Sequence, residues 1–168
     1  MRIVVLSDTH MPRSAKSLPS PVVKALGTAD YILHAGDWTT PAIADMLAKH
    51  APLEGVAGNN DGQELVKQFG YKKLLELGGI RIGIVHGHGV QGTTESRAVD
   101  AFRREKVNVI LFGHSHIPLY KKRNGMLLFN PGSPTDKRRQ STYSFGVWTI
   151  QDGSLEASIH YFKKEERT

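Results

Sequence analysis

Five short apolar runs in this chain each stop on a side chain with an oxygen or an imidazole to offer. MRIVVLS runs into Asp8 and His10, YILHA into Gly36-Asp37, and LEGVA into Gly58-Asn59. RIGIV runs into His86, and VILF into Gly113-His114-Ser115-His116. Runs this short, rich in β-branched residues and bounded by polar turns, read as buried strands. Where helical crossovers join strands, the strand ends gather on one edge of the sheet, where ligands bind. That edge would collect two aspartates, one asparagine and four histidines. Alternate residues on an extended segment point the same way, so Asp8 with His10, and His114 with His116, are expected to converge.

The first half alternates strand and helix. Strands are expected over residues 2–7, 31–35 and 53–57, with helices over 21–26 and 41–49, each opening on proline. Residues 73–77 and 81–85, parted by Gly78-Gly79, suggest a hairpin. A charged amphipathic helix over 94–106 feeds a strand over 107–112. The rest alternates through 117–122, 126–129, 143–150 and 155–162, and reads as an antiparallel run. The fold class expected is α/β, with two packed sheets flanked by helices. No repeat, low-complexity tract or linker divides the 168 residues, so one domain over residues 1–168 is expected.

Composition narrows the function classes. Hydrophobic residues at 39% and charged residues at 23% are ordinary for a globular protein. No apolar run is long enough to cross a bilayer. Asp8 cuts the opening run short, so residues 1–7 read as mature structure and not as a signal peptide. Cysteine is absent, which excludes disulfides and thiol chemistry and fits a cytoplasmic enzyme. The formal charge of +6 includes basic clusters at 121–123 and at Lys137, Arg138 and Arg139. Such clusters are either solvated surface or a funnel for an anionic substrate such as a phosphate ester. No aromatic-interleaved basic platform stands out, so nucleic acid enters only as a substrate class.

A lone aspartate after a strand is usually a turn or a helix cap, and a lone histidine is usually a satisfied polar residue. Seven such groups after successive strands are not explained by turns, which have no need of imidazole. Carboxylates, an amide oxygen and neutral imidazoles suit a borderline-hard divalent metal. Seven exceed the needs of one ion, and two ions sharing a carboxylate account for them better.

The segments DTH, GD, GNND, HGH and GHSH, in this order, resemble the calcineurin-like metallophosphoesterase superfamily. The match is closest to its small bacterial and archaeal phosphodiesterases and continues through FNPGSP at 129–134. The resemblance implies a four-layer sandwich, two mixed sheets stacked face to face with helices outside. It places Asp8, His10 and His116 on one metal, Asn59, His86 and His114 on the other, and Asp37 between them. The implied activity is a dinuclear metal-dependent phosphoesterase, on diesters in preference to monoesters, with a hydroxide bridging the two ions as nucleophile. Mn²⁺ is the first choice of metal, with iron, zinc, nickel and cobalt open. Homo-oligomerisation stays open too.

In many family members the residue after the ligand asparagine is a histidine that protonates the leaving group; here it is Asn60. Asp61, which would orient that histidine, is expected only to fix the loop. His88 is the other candidate for the proton, or for a residue that orients His86. His34 reads as structural, and His50 and His160 as surface residues. The loop from Asn130 to Ser133 reads equally as a plain turn or as an approach to the metals. A rival reading comes from the retromer subunit that shares this fold and serves as a protein-sorting scaffold. That scaffold has lost family ligands in the first motif, whereas Asp8 and His10 are both present here.

Overall fold

In the first strand alternate side chains are apolar on both faces, which only a strand covered on both sides can use. In the computed structural model, which describes residues 1–164, β1 (Arg2–Leu6) is the central strand of a five-stranded sheet. Val4 and Leu6 face helices, while Ile3 and Val5 face a second sheet. The first sheet also holds β2 (Tyr31–His34), β3 (Leu53–Gly55), β9 (Tyr143–Gln151) and β10 (Ser154–Phe162), in the order β10-β9-β1-β2-β3. The second holds β4 (Lys72–Leu77), β5 (Ile80–Val85), β6 (Val109–Leu111), β7 (Leu119–Arg123) and β8 (Met126–Asn130), in the order β4-β5-β6-β8-β7.

Three helices, α1 (Ser20–Leu26), α2 (Pro41–Ala48) and α3 (Gln63–Phe69), cover the outer face of the first sheet through Val22, Leu26, Ile43, Leu47, Leu65 and Phe69. The fourth, α4 (Thr94–Ala101), packs Ala98, with Phe102 just beyond it, on Ile110 and Leu128 of the second sheet. Between the sheets lie Leu33, Ile82, Leu111, Phe129 and Trp148. The result is a four-layer α/β sandwich of two mixed sheets, as expected.

Three details differ from the sequence reading. Helix α3 was not foreseen: it has only seven residues and follows directly on the GNNDG turn. Helix α4 ends at Ala101, because Phe102 turns into the core and the charged stretch 103–106 has no apolar stripe to bury. The last four strands are not one antiparallel run. β8 lies parallel to β6, while β9 and β10 join the first sheet beside β1. The connection 131–142 therefore crosses from one sheet to the other, at the edge where the polar strand ends meet.

Candidate metal centre

Parallel β1, β2 and β3 end on the same edge, as do β5 and β6. Their following residues form two groups. Asp8, His10 and His116 make the first, and Asp37, His86 and His114 the second; within each group the ligand atoms lie within 4.8 Å of one another. The groups touch. Asp37 Oδ2 is 3.4 Å from His10 Nε2 and 3.2 Å from His86 Nε2. Asp8 Oδ1 is 3.4 Å from His116 Nε2 and 3.7 Å from His86 Nε2.

The backbone explains how so many side chains reach one place. Asp8, His10, Asp37, His114 and His116 all have positive φ, between 44° and 67°. This left-handed conformation costs about 1–3 kcal/mol per residue and persists only where the surroundings hold it. It corrects the expectation of extended segments. His114 and His116 do not point the same way; they divide between the two groups. Glycine at 58 and 113 permits the approach, since a Cβ there would strike the Asp37 carboxylate, or Ser7 and the Asp8 carboxylate.

Four buried atoms in the pocket have no hydrogen-bond partner: Oδ1 of Asp8 and Nε2 of His10, His86 and His116. Burying a polar atom unpaired costs roughly 1–3 kcal/mol, so such atoms are rare in folded proteins. Four of them facing one another within metal-sharing distance fit a cation. The opposite ring nitrogens support the same reading. His86 Nδ1 donates to the Ala35 carbonyl at 2.8 Å, and His116 Nδ1 donates to the Asp136 carbonyl. Both contacts leave the Nε2 lone pair free, the usual outer-shell support for a metal-bound histidine.

Charge in the pocket agrees. Burial pushes the Asp8 carboxyl up, but His86, His10, His116 and the Ser7 hydroxyl outweigh it and hold it low. Asp37 is also held low against burial, by His86 and by two donors from Asn60. His86 is pushed up to about 9, because Asp8 and Asp37 outweigh its burial. His114 and His116 are lowered, first by burial. The carboxylates stay ionised and His114 and His116 neutral, the states that ligate metals; a cation would compete with the proton on His86.

Asn59 lies at the rim, its amide oxygen accepting from His114 Nδ1 at 3.1 Å. Asn60 does not stand free as an acid would. Its backbone N–H donates to Asp37 Oδ1 at 2.9 Å and its amide to Oδ2 at 2.7 Å. Asp61 fixes the loop as expected, accepting from the backbone of Asp37, Thr39 and Gly58 at 2.7–2.9 Å. His88 is exposed beside the second group, its ring 5.6 Å from that of His86 and 6.3 Å from that of His114. Arg138 lies near enough to His116 to lower its basicity, whereas Lys137 is engaged by the Gln140 carbonyl and the Tyr143 ring. Arg139 is exposed. His34 is structural: buried against Trp38, it meets Thr9 Oγ1 and accepts from the Gly36 N–H. His50 and His160 are exposed, as expected.

Several residues escaped the sequence reading. Arg13 reaches back to His10, with Nη2 3.3 Å from Nδ1. Ser133 and Thr135 donate to the carbonyls of Asp8 and Thr9, at 2.8 and 2.5 Å, so the connection 131–142 braces the first motif and is more than a turn. Arg97 ties down the loop bearing His88 through the carbonyls of Gly87, Gln91 and Gly92 at 2.8–3.0 Å. Asn130 and Ser133 were singled out in the sequence as one loop, read equally as a plain turn or as an approach to the metals; the Asn130 amide donates to the Gly113 carbonyl and Ser115 Oγ.

Two groups of carboxylate and imidazole side chains, each able to hold a metal ion, therefore meet on the shared edge of a four-layer α/β sandwich. Residues 1–153 match the calcineurin-like phosphoesterase superfamily domain, and the chain belongs to that family. It is 36% identical over 164 residues to a probable metallophosphoesterase of Methanothermobacter thermautotrophicus, covering 95% of this chain and 91% of the relative. Among solved structures it resembles wild-type Vps29 of Entamoeba histolytica complexed with Zn²⁺, with a TM-score of 0.77 and 23% identity over 96% of this chain and 99% of that one. It also resembles an archaeal phosphodiesterase, with a TM-score of 0.71 and 20% identity over 95% of this chain and all of that one. At these identities the two structures share the fold. Among the described residues, no helix is long and apolar enough to cross a membrane.

Proposed function

We propose that this chain is a phosphodiesterase that works with two divalent cations, one at each group of the pocket. The observation that carries the reading is the set of four buried, unpartnered ligand atoms on Asp8, His10, His86 and His116. When bound, two such ions polarise the phosphoryl group and supply a nucleophilic water that is acidic enough to ionise near neutral pH. Asp8, His10 and His116 would hold one ion, Asn59, His86 and His114 the other, and Asp37 would serve both. Mn²⁺ is the first choice, from the family resemblance and the three oxygen-bearing ligands Asp8, Asp37 and Asn59, while the four imidazoles keep iron, zinc, nickel and cobalt open.

The chain's own residues do the remaining work. Asn60 meets the Asp37 carboxylate with two donors, its backbone N–H on Oδ1 and its amide on Oδ2, against which an incoming cation must compete. An amide cannot give up a proton at neutral pH, so the leaving group takes its proton elsewhere, and exposed His88 is the nearest candidate. Arg138 sits at the side of the first group, with Lys137 and Arg139 beside it, as a cationic approach for an anionic ester. A diester carries one charge to a monoester's two, and it depends less on cations around its outer oxygens. The archaeal structural neighbour described as a phosphodiesterase supports this choice.

A second reading has one observation in its favour, the shared fold with Vps29 together with exposed Ile117 and Tyr120 next to the pocket segment. In that reading the surface binds proteins and the pocket turns over nothing. Both readings meet one test. Protein stripped with a chelator and reloaded with Mn²⁺ is assayed on bis(4-nitrophenyl) phosphate and on 4-nitrophenyl phosphate. Metal-dependent turnover, faster on the diester, is expected. Full turnover by the stripped protein, or none after reloading with any of the candidate metals, would overturn the proposal.

A further inference from the structure

Beside the first group runs a groove of about 570 Å³. One wall is the segment from Pro12 to Pro21; the other is built from Pro134, Thr135, Tyr143 and residues 162–164. It opens at the lip of the pocket, because Arg13 touches His10 and Thr135 is bonded to the Thr9 carbonyl.

Its chemistry differs from that of the rest of the surface. The chain carries 22 basic and 16 acidic residues, yet among the described residues Arg13, Lys16, Lys163 and Lys164 line the groove and no carboxylate does. Elsewhere, Lys72, Lys73 and Lys121 each pair with a glutamate. Among the described residues, none of the four groove cations has an acidic partner within ion-pair distance. Unneutralised cations along a concave wall concentrate positive potential and draw in anions. Tyr143 and Phe162 supply an aromatic wall, their rings stacked 5.6 Å apart at 23°. Cations that track a backbone, next to aromatic faces on which bases stack, are what single-stranded nucleic acids bind. The sequence conceals this, since Lys16 and Lys163 stand at opposite ends of the chain and meet only when β10 folds back along β9.

We infer that this groove seats one arm of the substrate and that the arm is nucleotide-like, with a further phosphate for the lysines and a base for the aromatic wall. The inference rests on the diesterase reading and names its substrate class: the end of an oligonucleotide, cut at the phosphate held in the pocket. Arg13 stands between the two sites and would be shared by neighbouring phosphates.

The test reads binding without turnover. A fluorescein-labelled, phosphorothioate-linked tetrathymidylate is titrated against the protein as purified, by fluorescence anisotropy. Three lysine–phosphate contacts predict a salt dependence with a log–log slope of about −2. Replacing Lys16, Lys163 and Lys164 together by alanine is expected to weaken binding about tenfold and to remove most of that slope. Phe162→Ala is expected to weaken the thymidylate and to leave an abasic, phosphorothioate-linked competitor unaffected. Equal binding by the triple-lysine variant overturns the proposal, and so does an abasic competitor as good as the thymidylate. Loss of the diesterase reading would look different: the oligonucleotide would bind through the lysines but no diester would be cleaved. Cleavage of bis(4-nitrophenyl) phosphate without oligonucleotide binding would remove this inference alone.

Discussion

The two groups of the pocket contain the same residue types and differ in what their lone pairs already do. In the first, Asp8 Oδ1, His10 Nε2 and His116 Nε2 are buried and unpartnered. In the second only His86 Nε2 is in that state, because Asp37 is taken up by Asn60 and the Asn59 oxygen by His114. The first group leaves its ligand atoms free for a cation, with its wall braced by Ser133 and Thr135. The second is partly satisfied by itself, and a cation must exchange against its internal hydrogen bonds. It is also the more open of the two, with Asn59 and His88 exposed at its rim. The difference teaches that chemically equivalent ligand sets can be unequally ready, and that readiness lies in the neighbours of the ligands.

The largest effect should separate the shared carboxylate from an unshared one. Asp37→Asn is expected to lower turnover by about 10³-fold or more, the loss of several kcal/mol of transition-state stabilisation. Metal analysis of the variant should show close to no bound ion. Asp8→Asn is expected to be as inactive but to retain about one ion per chain, held by the second group. Equal metal content in the two variants would erase the distinction between a bridging and a terminal aspartate.

The next effect tests the open side. Asn60→His places a titrating group at the rim of the second group, and general acid assistance is worth about 10²–10⁴-fold, most for poor leaving groups. The gain should fall near the lower end, since Asp61 already accepts three backbone N–H groups and is not free to orient an imidazole. Alkyl diesters should speed up more than aryl diesters. The dependence of kcat/KM on leaving-group pKa, steep in the native protein, should flatten in the variant. Parallel slopes would show that the proton already comes from another residue, and His88→Asn would then be the variant to measure.

What could be read in the sequence follows from where the physics is local. The ligand types stand out because each directly follows a strand, and the strands show themselves by short apolar runs. Two packed sheets flanked by helices follow from the alternation of strands and helices, and the four-layer stacking from the family resemblance. The left-handed backbone at Asp8, His10, Asp37, His114 and His116 leaves no mark, because aspartate and histidine adopt it without a glycine to announce it. Arg97 and Thr135 were invisible for another reason: each binds backbone carbonyls, Arg97 in the loop just before its helix and Thr135 near the other end of the chain, and a carbonyl has no residue type. The placing of β8 beside β6 could not be read either, since a parallel strand after a hairpin turn looks like one more antiparallel strand until the long-range pairing is made.

The readiness of the two groups can be measured directly. Calorimetric titration of the stripped protein with Mn²⁺ should resolve two steps, with the first at least about tenfold tighter, the size of effect that outer-shell contacts exert on metal affinity. Asn60→Ala removes the amide from Asp37 Oδ2 and should narrow the gap between the steps by strengthening the second. A single step with two equivalent ions would mean that internal hydrogen bonds in the second group cost nothing to exchange.

The smallest effect concerns the cations beside the first group, which the sequence presents as one cluster and the structure divides. Lys137 is half-buried, with its ammonium on the Gln140 carbonyl and near the Tyr143 ring, so it is partly used up within its own loop. Arg138 is exposed, has a positive φ of 47° and lies close enough to depress the basicity of His116. Arg139 is exposed and has no such contact among the described residues. Arg138→Ala is therefore expected to raise KM for an anionic diester about threefold to tenfold at low salt, with little change in kcat, and to lose that difference as salt screens the charge. Lys137→Ala and Arg139→Ala should change KM by less than about twofold, since an exposed or internally engaged charge contributes little across solvent. If all three variants shift KM alike, the cluster acts through its summed field and the division drawn by the structure has no bearing on substrate. If none does, the anion is drawn in by the pocket alone.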